Sequence, residues 1–197
     1  MNYLGHIYLS GNDELLMVGN FIGDYVKGNQ YNSFPDQIRQ GILFHRAIDH
    51  FTDQNEHWLA IRELLRPFYH RYAGVVADIF IDHFLAKNWN LYSDTLLTWY
   101  AKWAYAAFLR HHQYLPAKVQ EFLPYLIQHR RLQSYAYIEG LEMSLRIMSF
   151  RTSLPENTDA VIEKLIANYQ LFEQHAETFL KEITAKRVEL LPSVNLG

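Results

Sequence analysis

The segment GILFHRAIDHFTD places His45 and Asp49 four residues apart, and on a helix such residues lie one above the other. The segment VVADIFIDHFLAKNW repeats that spacing with Asp78 and Asp82, and His83 follows directly. Both pairs interrupt strongly apolar stretches. A carboxylate facing a core is costly unless it is paired or binds a cation. Two carboxylates one turn apart repel, so a bound cation accounts for Asp78 and Asp82 economically. Imidazole nitrogens with carboxylate oxygens suit Mn²⁺, Fe²⁺ or Zn²⁺, or Mg²⁺ where oxygen and water fill more of the shell. Such an ion lowers the pKa of a bound water and neutralises charge on a phosphoryl oxygen. Taken alone, a His-x3-Asp or Asp-x3-Asp pair is more often a surface or capping pair. Two of them in apolar helices bring the metal reading level with that one.

Further candidates are His6, Asn20, Asp24 and Lys27. His6 sits in the apolar setting MNYLGHIYLS, where a satisfied core histidine is the alternative. Asp24 follows Asn20 by four residues, hence on the same helical face. Lys27, one turn later, can meet a phosphate oxygen as a point charge. By spacing alone, Asp24 and Lys27 read as an ordinary surface pair. His50, His57, His70, His111, His112, His129 and His175 show no comparable arrangement and read as surface or packing residues. GxGxxG, P-loop, GxSxG and HExxH motifs are absent, as is the Glu-x-x-His repeat of di-iron bundles.

The elements that must position these residues are helical. Hydrophobic residues make up 49% and aromatics 15% of 197 residues, which excludes a disordered chain and supplies one sizeable core. No cysteine is present, so disulfides, thiolate metal sites and cysteine nucleophiles are excluded. The net charge of −3 and the lack of a basic run argue against nucleic-acid binding. A basic, apolar leader and a run of about 20 apolar residues are both missing, so a cytoplasmic protein without a membrane span is expected.

Asn12 and Asp13 can cap a helix to about Val26, with Gly28 placed to stop it. Ser33-Phe34-Pro35 starts a helix carrying Ile38, Ile42, His45 and Asp49. Others are expected from Glu56 to about Tyr69 and from Ala73 to Asn88, the latter burying Val75, Ile79, Asp82 and Ala86. Ser93 is read as the cap of a helix to about Arg110, Pro116 as the start of the next, and 132–149 as one more. Pro155 opens a long helix with Ile162, Leu165, Tyr169, Phe172, Ala176, Phe179 and Ile183 on one face. The expectation is an all-α, single-domain bundle of seven to eight helices over 1–197. Residues 1–90 bear the motifs, further helices span 93–187, and the tail after 191 is loose.

MNYLGHIYLS, GNFIGDYVKG, SFPDQIRQGILFHRAIDHFTD and ADIFIDHFLAKNW resemble, in order and spacing, the signature blocks of the acyl carrier protein phosphodiesterase family. YIEGLEMSLRIMSFR resembles the family's later helix. The resemblance implies an HD-like helical fold. It also implies a hydrolase that releases 4′-phosphopantetheine from a serine of holo acyl carrier protein, with a divalent metal: Mn²⁺ first, Mg²⁺ or Fe²⁺ as alternatives. Asp24, His45, Asp49, Asp78, Asp82 and His83 stand at the family's polar positions. The pair Asp82–His83 reverses the ordinary HD doublet, so HD ligand roles do not transfer mechanically. On this resemblance His45, Asp49, Asp78, Asp82 and His83 hold the metal, with His6 and Asn20 as further site residues. Asp24 completes the site or acts as base, and Lys27 and Arg46 steady the phosphate. Carrier proteins are acidic, so a local basic patch is expected, from Lys27, Arg39, Arg46, Arg62, Arg66 and Arg71. The alternatives are an HD-like hydrolase of a nucleotide or other small phosphoester, and a non-catalytic helical module binding an acidic partner. In that last case the Asp and His residues form buried ion pairs.

Overall fold

The computed structural model describes residues 1–192. Eleven α-helical segments follow one another: α1 Tyr3–Leu9, α2 Glu14–Ile22, α3 Asp36–Gln54, α4 Glu56–Tyr69, α5 Ala73–Lys87, α6 Leu97–Arg110, α7 Ala117–Gln128, α8 Arg131–Ser134, α9 Ile138–Arg151, α10 Thr158–Ala167 and α11 Tyr169–Leu190. No strand occurs among the described residues, and none of the helices is long and apolar enough to cross a membrane. The tail expected to be loose lies outside the described residues from 193 onward; just before it, Pro192 O accepts a hydrogen bond from Gln40 Nε2 at 2.8 Å.

The count exceeds eight for three local reasons. α1 is only seven residues long, with no side-chain cap, so it leaves little periodic signal. The stretch 132–149 breaks between α8 and α9, and the long helix after Pro155 breaks at Asn168, whose amide bonds back to Lys164 O at 3.0 Å. Ser93 is not a helix cap. Its hydroxyl accepts Thr95 N at 3.2 Å in a turn, and α6 starts later, at Leu97. Other starts follow the sequence. Asp13 accepts Leu16 N at 2.9 Å, and Asn55 caps α4 through His57 N and Trp58 N at 3.0 and 3.2 Å.

α5 runs through the centre, packed by α1, α4, α9 and α11. Phe80 and Phe84 are fully buried on it, each favouring the fold by about 1.5–3 kcal/mol. Val75, expected on its inner face, is instead 40% exposed. α2 and α3 approach most closely where Gly19 meets Gly41. A Cβ on Gly41 would stand 2.2 Å from Leu16 O and 2.8 Å from Asn20 N, so only a hydrogen fits there. This contact sets Asn20 against His45. Gly41→Ala should therefore destabilise the protein by about 2–3 kcal/mol, as overpacking does. Urea unfolding will read this, and a loss under about 0.5 kcal/mol, within the range of neutral surface changes, would contradict it.

Candidate metal centre

His6 comes from α1, Asn20 from α2, Asp24 from the 3-10 turn Gly23–Tyr25 that ends α2, and His45 and Asp49 from α3. The helix expected to reach Val26 stops at Ile22, yet the turn still delivers Asp24 to His45. Gly23 makes this possible, because a Cβ there would overlap the His45 ring at 2.2 Å.

The two imidazoles stack with centroids 3.9 Å apart, and Asn20 fixes the protonation of both. Its backbone oxygen, which can only accept, lies 2.7 Å from His45 Nδ1. Its side-chain NH₂ donates to His6 O at 2.6 Å and Ser10 Oγ at 3.0 Å, which turns Oδ1 as acceptor to His6 Nδ1 at 2.9 Å. Each Nδ1 thus carries a hydrogen, and each Nε2 is left as a lone pair or a second protonation site. Both Nε2 atoms are buried without a properly directed hydrogen bond. They face carboxylates: His6 Nε2 is 3.2 Å and His45 Nε2 3.1 Å from Asp49, and His45 Nε2 is 3.5 Å from Asp24. Donor atoms of His6, His45 and Asp49 all lie within 4.8 Å of one another.

Lone pairs aimed at carboxylates repel unless a proton or metal ion stands between them. Burial disfavours a charged His45, but Asp24 and Asp49 outweigh it and hold its pKa at about 9. Burial and the neighbouring His45 push His6 down to about 4. Burial also opposes ionisation of Asp49, yet His45, His6 and the Met1 ammonium hold its pKa far below the usual range. The adjacent His45 likewise lowers Asp24. A second-shell acceptor on each Nδ1, a lone pair on each Nε2 and an adjacent carboxylate are what a His₂–carboxylate metal centre requires. The donor set fits a divalent ion of the Mn²⁺, Fe²⁺ or Zn²⁺ kind. Met1, Asn2, Tyr3 and Phe21 close the inner side around a cavity of about 10 Å³, about enough for one water-sized group. Asp24 (69% exposed) and Asp49 (41%) form the open side.

The other sequence candidates have different surroundings. Asp78 binds the Met1 ammonium at 3.1 Å and accepts Trp58 Nε1 at 2.9 Å; the same ammonium is 3.9 Å from Asp49. Asp82 accepts Leu4 N and Gly5 N at 2.7 and 2.9 Å, and burial raises it to about 7 against those donors. The Met1 ammonium thus sits against Asp78, one helical turn from Asp82. His83 is not brought to the cluster. Consecutive helix residues diverge by about 100°, and it faces Tyr135 O and Tyr169 Oη, both at 2.8 Å. Arg46 donates to Val26 O and Gly28 O at 2.9 and 2.8 Å and lies over Tyr31, so it braces the loop behind Asp24. Lys27 is exposed on that loop. The Met1 amino group and Trp58 went unseen in the sequence, since no local pattern marks contacts this distant along the chain.

The family described as acyl carrier protein phosphodiesterase matches residues 1–183. The acyl carrier protein phosphodiesterase of Yersinia pestis is 29% identical over 176 residues, covering 89% of this chain and 88% of that one. That of Yersinia enterocolitica is 30% identical over 175 residues, 88% and 91% of the two chains. That of Serratia proteamaculans is 31% identical over 152 residues, 77% and 79%. No solved structure matches. With His6, Asn20, Asp24, His45 and Asp49 all inside the matched span, the chain belongs to the acyl carrier protein phosphodiesterase family.

Proposed function

We propose that this protein hydrolyses the phosphodiester between 4′-phosphopantetheine and a serine of holo acyl carrier protein, removing the prosthetic group. The observation that carries the metal-dependent form of this reading is the pair of buried Nε2 atoms converging on Asp49. His6, His45 and Asp49 would hold the ion, with Mn²⁺ the first choice and Fe²⁺ or Mg²⁺ alternatives; Asp78 neutralises the amino group behind it. When bound, the ion supplies charge neutralisation at the phosphoryl group and a more acidic water.

Asp24 stands on the open side, where substrate and water arrive. From there it can complete the ligand set, orient a water or act as base toward it. Arg46 holds the carbonyls of the Asp24 loop, and Lys27, exposed beside it, can meet a phosphate oxygen. Asp82 ties the start of α1, and with it His6, to α5.

Incubation with holo carrier protein and Mn²⁺ should remove the phosphopantetheine mass, read by intact mass spectrometry. Asp24→Ala should lower turnover at least about tenfold, the scale of a lost orienting contact near 1.4 kcal/mol. A carrier protein unchanged across several divalent metals would contradict the reaction and favour a small phosphoester. Normal turnover in Asp24→Ala would remove that residue's role.

The metal-free protein gives a second test. His45 has a folded-state pKa above its ordinary 6.5, at about 9, so its stabilisation is complete below 6.5 and lost as pH rises through 9. Chelator-treated protein should show a Tm that falls over that window, with a flatter profile in His45→Asn. An equal slope in the variant would show that the His45 charge is not held between Asp24 and Asp49.

A further inference from the structure

Of the six cations expected to form a basic patch, five are already engaged. Arg39 pairs with Asp36 at 2.9 Å, and Arg62 and Arg66 both pair with Glu63, at 3.2 and 2.6 Å. Arg71 bonds its neighbour Tyr72, and Arg46 is held by backbone carbonyls. Lys27 alone remains outward, and one lysine does not make a docking surface.

A different cationic surface lies at the C-terminal end of α7. A groove of about 540 Å³ is bounded by Lys102 of α6, His129 and Arg130 after α7, and Tyr137 before α9. All four are exposed, and neither Lys102, Arg130 nor His129 pairs with a carboxylate among the described residues. Arg130 holds a left-handed backbone, φ +47°, a conformation uncommon for a residue with a side chain; it turns the chain sharply from α7 into α8. Lys102 Nζ lies 5.5 Å from the centre of the Trp99 ring. Trp99 and Tyr137 are themselves 64% and 66% exposed. Unpaired cations beside exposed aromatic rings are the composition of a protein-binding surface rather than of an inert face.

Helix α7 packs near the candidate centre through Phe122 and borders the groove at its C-terminal end. Tyr3, which lines the centre, packs against Phe122 of α7 at 5.8 Å. The helix then runs about 9 Å from Phe122 to Gln128, at about 1.5 Å per residue. Along it Tyr125 carries Arg151 over its face and contacts His129 at 4.2 Å. On the other side, Asn2 of the centre donates to Tyr135 Oη at 2.7 Å, between the groove residues Ser134 and Tyr137.

We infer that the groove of Lys102, His129, Arg130 and Tyr137 is the docking surface for an acidic protein, namely the carrier protein whose phosphodiester reaches the metal centre. The inference rests on the proposed substrate. Charge complementarity selects this partner: the chain is acidic in sum, at −3, so an acidic protein is repelled elsewhere and drawn to this cationic face.

The test is direct binding of fluorescently labelled apo carrier protein at low salt, separate from cleavage. The double charge reversal K102E/R130E should weaken binding at least about tenfold, as loss of a complementary charged patch does. Wild-type affinity should itself fall as salt is raised. R66E/K181E, with the same change of net charge elsewhere, should bind as wild type does, and circular dichroism will show all three equally helical. Equal binding by K102E/R130E and wild type overturns the proposal, as does an equal loss in R66E/K181E or no binding by wild type. Wild-type protein that binds through this groove but never releases phosphopantetheine would sink the proposed reaction while leaving the surface assigned.

Discussion

The two imidazoles at the centre of this protein are held by one residue, Asn20, whose backbone carbonyl takes the His45 Nδ1 hydrogen and whose side chain takes that of His6. Everything at the site follows from that arrangement. With both Nδ1 atoms committed, both Nε2 atoms must face Asp49 and Asp24, and a positive charge is needed between them. A proton on His45 satisfies this need in the metal-free protein; on the proposed reading a divalent ion would take both lone pairs at once. Asn20 is fully buried, and each of its hydrogen-bonding groups has a fixed donor or acceptor role, so the arrangement has little freedom to relax.

A second constraint lies below the first. Asp78 and Asp82 are two buried carboxylates on one helix, and the fold neutralises them differently. Asp78 takes the Met1 ammonium, while Asp82 takes two backbone N–H groups at the start of α1. Together they clamp α1 onto α5, and α1 brings His6. Carboxylates read as ligands in the sequence thus hold the element that carries His6. The price of burying them is visible in the raised pKa of Asp82, and α1 alone, at seven residues, is too short to be a stable helix without such anchoring.

Much of the fold was legible in the sequence because long amphipathic helices write themselves into spacing: α3, α4 and α5 fall close to where periodicity and caps put them. α1 was missed because it is short and uncapped. The pairing of His45 with Asp49 was legible because it is local, four residues on one helix. The roles of Asp78, Asp82 and His83 were not, since each depends on a partner more than fifty residues away or, for Trp58 and Asp78, on a neighbouring helix. Arg46, read in the sequence as steadying a phosphate, also has contacts no local pattern marks: its Nη2 donates to Val26 O and Gly28 O. The family resemblance named these polar positions together; the packing separates His6, Asn20, Asp24, His45 and Asp49, which meet in one cluster, from Asp78, Asp82, His83 and Arg46, which have other partners.

The most direct measurement is pulsed EPR of the Mn²⁺-loaded protein, reading nitrogen modulation from coordinated imidazole. Couplings from two histidines are expected, with one lost in His6→Asn and both retained in His83→Asn. A Mn²⁺ signal without nitrogen modulation, or one that depends on His83 and is indifferent to His6, would contradict the centre built on Asn20.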